Sequence, residues 1–283
     1  VMYNVMNTIR KYCMGNREVK FRALRGETLN DRRYNWEDGE TKVSIPIFGI
    51  HGNHDDPGEE GLLSPLDILE SARLINYIGK MSNVDDIDVS PMLLEKGTTK
   101  LAIYGIGNIE DERLYRSFEK DKVKFMIPED LSDSSDWFSI MLFHQNRKKG
   151  NFGGSISKEY IPETFLPDFL DLIIWGHEHE CIKNPVEVAG KNFFVLQPGS
   201  SISTSHIVSE SAQKHVVLLQ VQNGTFKTTP IPLVSPRTFI YEHLILTKDE
   251  TNIESLLLKK MEELLVRAKS EHNIKNDLVL PQF

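Results

Sequence analysis

The sequence has 283 residues, 40% hydrophobic and 26% charged, with a net charge of −8 at pH 7. That is room for one large domain or one and a half ordinary ones, with a real core. No apolar run reaches the roughly 18–20 residues that span a membrane. The two cysteines, Cys13 and Cys181, lie too far apart for a disulfide framework and suggest a reducing compartment. The acidic total argues against a general polyanion binder, although a basic patch or bound cations can invert the field of a groove.

The opening stretch VMYNVMNTIRKYC lacks the basic start and apolar core of a secretory signal. It reads as the inside of a helix and, having no initiating Met, as a start partway through a larger protein. Residues 14–44 are polar and turn-rich, a long excursion with at most one short strand; such loops are usually functional or disordered. SIPIFGI (44–50) predicts a strand ending at His51-Gly52. Residues 64–79 carry Leu66, Leu69, Leu74, Ile75 and Ile78 at helical spacing. KLAIYGIG (100–107) predicts a strand, ERLYRSFEKDKV a helix, and WFSIMLFH (137–144) a strand that ends on His144. In 165–180 a helix-like start leads into the strand DLIIWG, followed by His177 and His179. NFFVLQPGSS (192–201) predicts another strand, and 214–233 a hairpin turning at Asn223-Gly224. Residues 253–271 form an amphipathic helix, with Leu256, Leu257, Met261, Leu264 and Leu265 on one side, before a strand-like end, DLVLPQF. Short apolar strands alternating with helices predict sheets buried between helical layers, an α/β sandwich.

Strand ends at 50, 143 and 176 each deliver polar groups: Asn53 and His54, His144, and His177 with His179. Ligands collect outside the carboxyl ends of strands in layered α/β folds, so neighbouring strands would bring these groups together. A lone histidine at a strand end is usually just hydrogen-bonded, but three such ends point to a metal. Imidazoles with an amide oxygen suit Zn, Mn, Fe or Ni, and carboxylates push the choice towards harder ions such as Mn. The two histidines of GHEH, two residues apart on an extended segment, point the same way and can reach one ion or two adjacent ions. Gly52 and Gly176 allow a tight turn and close approach. Asp55 or Asp56 could orient His54, or cap the following segment. His51 is a supporting group or turn geometry.

Gly52-Asn53-His54-Asp55, the strand ending at His144 and Gly176-His177-Glu178-His179 together resemble the calcineurin-like metallophosphoesterase superfamily. RKYCMG, IPIFGIHGNHDDP, DERLYRSF, FHQNR, IIWGHEHEC and QPGSSISTS narrow the resemblance to the eukaryotic meiotic-recombination nucleases, which supply the nuclease subunit of the MRN/MRX double-strand-break repair complex. The likeness runs from about residue 5 to about 275. It implies a layered α/β/β/α fold, with a nuclease domain over 1–240 and the start of a DNA-capping domain over 241–283. It also implies a site for two Mn2+ ions. Asn53, His144 and His177 match ligands of one ion, and His179 a ligand of the other. His54 matches the histidine that protonates the leaving 3′-oxygen or steadies the transition state. An imidazole suits proton donation near neutral pH.

The family's Asp-x-His motif and the Gly-Asp motif whose carboxylate bridges the ions both fall upstream of this helix, and neither occurs in residues 1–283. The expectation is therefore a truncated or diverged chain that holds metal, and cuts, poorly. The resemblance also implies a nuclear, homodimeric protein working with an SMC-like coiled-coil ATPase, a nibrin/Xrs-type regulatory subunit and double- and single-stranded DNA. Leu66, Leu69, Ile75 and Ile78 are candidates for the dimer interface or, equally, for one monomer's core. The excursion 14–44 is read as the partner-binding insertion. Arg147, Lys148 and Lys149 are read as DNA contacts. The activity implied is 3′-to-5′ double-strand exonuclease and single-strand endonuclease in recombination, telomere maintenance and meiosis. The alternatives are a catalytically weak scaffold and another metallophosphoesterase, such as a phosphatase.

Overall fold

The computed structural model describes residues 1–24, 34–57, 63–81, 83, 86–127, 137–148, 159–236, 239–246 and 252–271, the last of these with side chains as far as 268. The sequence reading of 277–283, the Lys149 assignment and residues 25–33 of the excursion lie outside these.

The elements in chain order are α1 (Met2–Cys13), β1 (Arg22–Leu24), β2 (Phe48–Gly49), α2 (Pro65–Ser71), β3 (Asn76–Tyr77), β4 (Ile87–Val89), β5 (Met92–Lys96), β6 (Thr99–Ile106), α3 (Asp111–Glu119), β7 (Val123–Phe125), β8 (Trp137–His144), β9 (Leu172–Gly176), β10 (Ile182–Glu187), β11 (Phe194–Gln197), β12 (His215–Gln222), β13 (Thr225–Pro232) and α4 (Ile253–Glu271). The main sheet has the order β1-β5-β6-β8-β9-β11-β10. Its centre, β6-β8-β9-β11, is parallel, and both flanks are antiparallel.

Alternation along the central strands builds two cores. Ala102, Tyr104, Ile106, Trp137, Met141, Phe143, Ile173, Trp175 and Val195 face one way, into a core with Leu114 of α3 and the β4–β7 pair. Phe138, Ile140, Leu172 and Leu196 face the other way, against Val217, Leu219, Val221 and Phe226 of the β12–β13 hairpin. Beside that hairpin, Ile78, Phe48 and Ile50 of the small β2–β3 pair pack on Met92, Leu94 and Ile103. Helices α1 and α2 cover the far side of β2–β3 through Met2, Met6, Ile9, Leu69, Leu74, Ile75 and Tyr77. The layers therefore run α, β, β, α. Among the described residues no helix is long and apolar enough to cross a membrane.

Several elements differ from the sequence expectation. The helix predicted over 64–79 stops at Ser71. Leu74 N–H donates to Leu69 C=O at 2.9 Å and Arg73 N–H to Glu70 C=O at 2.8 Å. Arg73 has φ 58°. This is a Schellman stop with arginine in the left-handed position where glycine is usual. It swings Leu74 and Ile75 back into the core and starts β3. Strand 44–50 is reduced to β2, extended by Asn76 N–H donating to Ile47 C=O and Ile78 N–H to Gly49 C=O, each at 2.8 Å. The helix-like start expected from 165 does not form; a single 3-10 turn, Glu163–Phe165, ends where it would begin. Strands β4, β5, β7 and β10 are additional, and the helix expected through Val123 ends at Glu119.

The excursion is half built in. β1 adds an edge to the main sheet, and Trp36 stacks on Tyr34 and meets Phe21 and Phe48 edge-on. Asn35 and Asn76 exchange hydrogen bonds in the interior, both at 2.9 Å.

Candidate metal centre

Parallel pairing of β8 with β9 sets His144 opposite Gly176, so their carboxyl ends finish together. β2 ends above the same edge, and its turn carries Asn53. His144 Nε2 lies 3.2 Å from Asn53 Oδ1 and 3.3 Å from His177 Nδ1. Gly52 and Gly176 form the walls of this slot. A Cβ on Gly52 would sit 2.7 Å from His144 Cε1, and one on Gly176 2.9 Å from His144 Nδ1. Only hydrogen at these two positions leaves room for the imidazole. His177 has φ 74°, a left-handed conformation that is strained for a histidine. The turn redirects the chain after β9 and brings Nδ1 to His144.

Burial pushes the His144 imidazole down to about 4, and charge on His177, His51, His179 or His54 would act the same way. His144 is therefore a neutral donor at physiological pH. Neighbouring ligand atoms about 2.1 Å from one ion sit roughly 3 Å apart. His144 Nε2 has about that spacing from both Asn53 Oδ1 and His177 Nδ1, and an amide oxygen with two imidazoles suits a borderline divalent ion. The set is incomplete: among the described residues no group of three or more His, Cys, Asp or Glu is placed to hold a metal.

His179 goes elsewhere. Its Nδ1 lies 2.6 Å from Thr204 Oγ1 and 3.2 Å from Glu210 Oε1. The Ser-Ser segment after β11 closes on it, with Ser200 N–H donating to His179 C=O at 3.2 Å. Glu210 is buried and accepts from Thr204 N–H at 2.8 Å and from the Ser205 hydroxyl at 2.7 Å. Burial would raise its pKa, but these donors and His179 outweigh it and hold the carboxyl well below the usual range.

His54 is exposed in the turn beside Asn53. Asp56 lies 3.3 Å from His51 Nε2, and the Asp55 carbonyl accepts from Ser64 Oγ at 2.6 Å. The following helix is capped by Ser64 itself, in a capping box with Asp67. His51 is buried beneath the site, its Nδ1 2.7 Å from the Tyr77 hydroxyl and its Nε2 3.1 Å from Asn108 C=O. Burial pushes the Tyr77 phenol up to about 12. Tyr77 thus donates to His51, whose Nε2–H is left to donate to Asn108.

The basic run after His144 divides. Arg147 points inward: Nε donates to Glu163 at 2.9 Å, Nη1 to Gln197 Oε1 at 3.1 Å, and the guanidinium stacks over Trp175. Lys148 is exposed. Of the interface candidates, Leu69, Ile75 and Ile78 are buried in the chain's own core and Leu66 is half-buried. The neighbouring surface instead exposes Tyr3, Tyr12, Ile45, Leu63 and Ile68. Sequence reasoning missed Glu210, Thr204 and Tyr77. A glutamate among serines carries no visible periodicity or motif.

The layered α/β fold and a histidine-asparagine cluster at the strand ends define a phosphoesterase, and the family model of calcineurin-like phosphoesterases matches residues 18–181. The chain belongs to that family, which implies use of divalent metal ions. It is similar to the double-strand break repair protein MRE11 of Arabidopsis thaliana, 44% identical over 89% of this chain and 36% of the relative. It resembles the protein of that name from Homo sapiens, 41% identical over 95% of this chain and 39% of the relative. The likeness extends to the MRE11 of Oryza sativa subsp. indica, 46% identical over 89% of this chain and 37% of the relative. The chain thus spans under two fifths of the length of these curated relatives.

Proposed function

We propose that this chain is the phosphodiesterase part of a nuclear DNA double-strand-break repair nuclease, working with Mn2+. The observation that carries the reading is the convergence of Asn53, His144 and His177 within hydrogen-bond distance, beside the exposed His54. An ion held by those three donors would polarise a phosphate oxygen and lower the pKa of bound water. His54 is the group free to give a proton to the leaving oxygen, and Lys148 meets phosphates of the incoming strand. His179, on the far side of GHEH, serves a second ion. In this reading the activity is 3′-to-5′ on duplex ends and endonucleolytic on single strands, serving recombination, telomere maintenance and meiosis. Residues 14–44 receive a nibrin/Xrs-type subunit, the whole protein engages an SMC-like ATPase, and 241–283 open the DNA-capping domain.

A second reading is favoured by a specific observation. The converging donors, Asn53, His144 and His177, include no carboxylate, and the surface around α1 and α2 exposes Tyr3, Tyr12, Leu63 and Ile68. Residues 1–283 alone would then act as a dimeric scaffold of low activity, joined through Tyr3, Tyr12, Leu63 and Ile68. One assay separates the readings and also tests for a phosphatase. The chain is incubated with Mn2+ and either a labelled 3′-ended duplex, circular single-stranded DNA or nitrophenyl phosphate, with His144→Ala as control. DNA cleavage that vanishes with His144→Ala supports the nuclease. Cleavage of nitrophenyl phosphate alone would establish a phosphatase, and no turnover with a dimeric mass the scaffold.

A further inference from the structure

We infer that Glu210 is the positioning residue for His179: it fixes the imidazole as the Nδ1–H tautomer and turns Nε2 outward as the free donor. Donors surround the Glu210 carboxylate on both oxygens. Oε1 accepts from Ser205 N–H at 3.1 Å, the Ser205 hydroxyl at 2.7 Å and the Thr204 hydroxyl at 2.9 Å. Oε2 accepts from Thr204 N–H at 2.8 Å and the Ser200 hydroxyl at 3.3 Å, with Lys214 Nζ at 3.6 Å. Backbone N–H groups and an ammonium can only donate, so each oxygen faces obligate donors and Glu210 is a pure acceptor. Glu210 and Lys214 are both almost fully buried, at 1% and 2% exposure, so this pair is part of the interior and not a surface ion pair.

His179 Nδ1 is the last group to meet Oε1, at 3.2 Å. An acceptor leaves that nitrogen one role, donation. Thr204 Oγ1, 2.6 Å away, agrees, because its own hydrogen is given to Glu210 and its lone pairs face the ring. With Nδ1 protonated, the neutral ring keeps its lone pair on Nε2. The His179 side chain is 44% exposed, while the Glu210 side chain is at 0%. One edge of the ring is thus anchored inside and the other is open. Carboxylates behind metal-bound histidines fix tautomer and orientation in this way. The assignment of Nε2 to an ion rests on the function proposed above; the tautomer does not.

The test uses the whole chain with 15N-labelled histidine, without metal, at an alkaline pH chosen so that the spectrum itself shows neutral rings. A long-range 1H–15N spectrum reads which nitrogen of His179 carries the proton. The wild type should show Nδ1–H only. Glu210→Gln should give a tautomer mixture while the other histidines keep their signals. Thr204→Val removes only the bridging hydroxyl and should keep Nδ1–H, so the proposal stays open to refutation if Glu210→Gln fails to fold. A wild-type proton on Nε2, an unchanged tautomer in folded Glu210→Gln, or loss of Nδ1–H in Thr204→Val would each overturn it. A separate titration with Mn2+ alone tests the functional reading. Glu210→Gln should weaken binding roughly 10–100-fold. Wild-type protein that keeps the tautomer but binds no Mn2+ through His179 sinks the metal role and leaves the positioning intact.

Discussion

His144 and His177 face each other across the ends of two paired parallel strands, Nε2 to Nδ1 at 3.3 Å. Of the two nitrogens, one donates and the other accepts. The Asn53 amide oxygen beside His144 Nε2 favours a proton on His144. An ion bound by Nε2 would require that proton to sit on Nδ1 instead, a change of tautomer within the neutral ring with no net release. His144→Ala should lower Mn2+ affinity at least tenfold, on the scale of ~10–100-fold seen for lesser perturbations of metal sites, while the far-ultraviolet circular dichroism stays unchanged. Equal affinity in the variant and the wild type, measured by calorimetry, would remove His144 from the site.

The same residue makes a prediction for acid. Burial lowers the His144 pKa from the usual 6.5 to about 4. Above pH 6.5 both folded and unfolded chains hold it neutral and its contribution is constant. Between 6.5 and 4 the unfolded chain takes up the proton first, so folded stability falls as the pH drops, and the loss levels off below 4. Melting temperature measured across that window with a chelator present should therefore decline for the wild type and decline less for His144→Gln. Parallel curves would mean that another group carries the acid response.

Gly52 offers a steric test of the slot. A methyl group there meets His144 Cε1 at 2.7 Å, and the ring is already held against Gly176 on its other side. Gly52→Ala should cost about 1–3 kcal/mol by overpacking, read by denaturant unfolding, and should also weaken Mn2+ binding. Gly190→Ala is a useful contrast for space, since nothing lies within 4 Å of its Cβ position, although its φ of 76° carries a backbone cost of its own. Stability loss without any change in metal binding would show that the ring has moved aside freely.

How much of this was legible beforehand varied with the kind of signal. The three strand ends were readable because an apolar run stopping at a histidine, as in Asn53-His54, Phe143-His144 and Gly176-His177, is a local pattern, and the parallel pairing of β8 with β9 then sets two of them side by side. The end of α2 was not, because the residue in its left-handed stop is Arg73 and not glycine; apolar spacing ran on through Ile78 and imitated a longer helix. Glu210 escaped because its importance comes from donors on a folded loop, Thr204 and Ser205, that only tertiary structure collects. The strands β4, β5 and β10 escaped for a related reason. They are edge or hairpin pieces with mixed polarity, such as IKNPVE, whose pairing is decided by the neighbour.

Leu69 and Ile68 separate core from interface on adjacent residues of one helix. Leu69 is 7% exposed and Ile68 is 54% exposed. Leu69→Ala should destabilise the chain by about 2–5 kcal/mol through lost burial and a cavity. Ile68→Glu should leave the melting temperature of a monomer nearly unchanged but lower the mass found by light scattering if this surface joins two copies. Unaltered mass across a wide concentration range would direct the search for the interface away from α2.

Arg147 and Lys148 are adjacent cations with different tasks. Arg147 is tied to Glu163, Gln197 and Trp175, with its side chain 15% exposed, whereas Lys148 is open to solvent. Removing Arg147 strands a part-buried carboxylate and leaves the Gln197 amide oxygen short of a donor, which costs on the order of 1–3 kcal/mol. Arg147→Ala should therefore lower stability, and Arg147→Lys should restore little of it, because an ammonium cannot span the two acceptors as the planar guanidinium does. Lys148→Ala should keep full stability. Its effect should appear in single-stranded DNA binding, as weaker affinity and a smaller dependence on salt, since each phosphate contact releases counterions. If Arg147→Ala is as stable as the wild type and instead flattens the salt dependence, the inward contacts of Arg147 are incidental and its side chain belongs to the DNA groove.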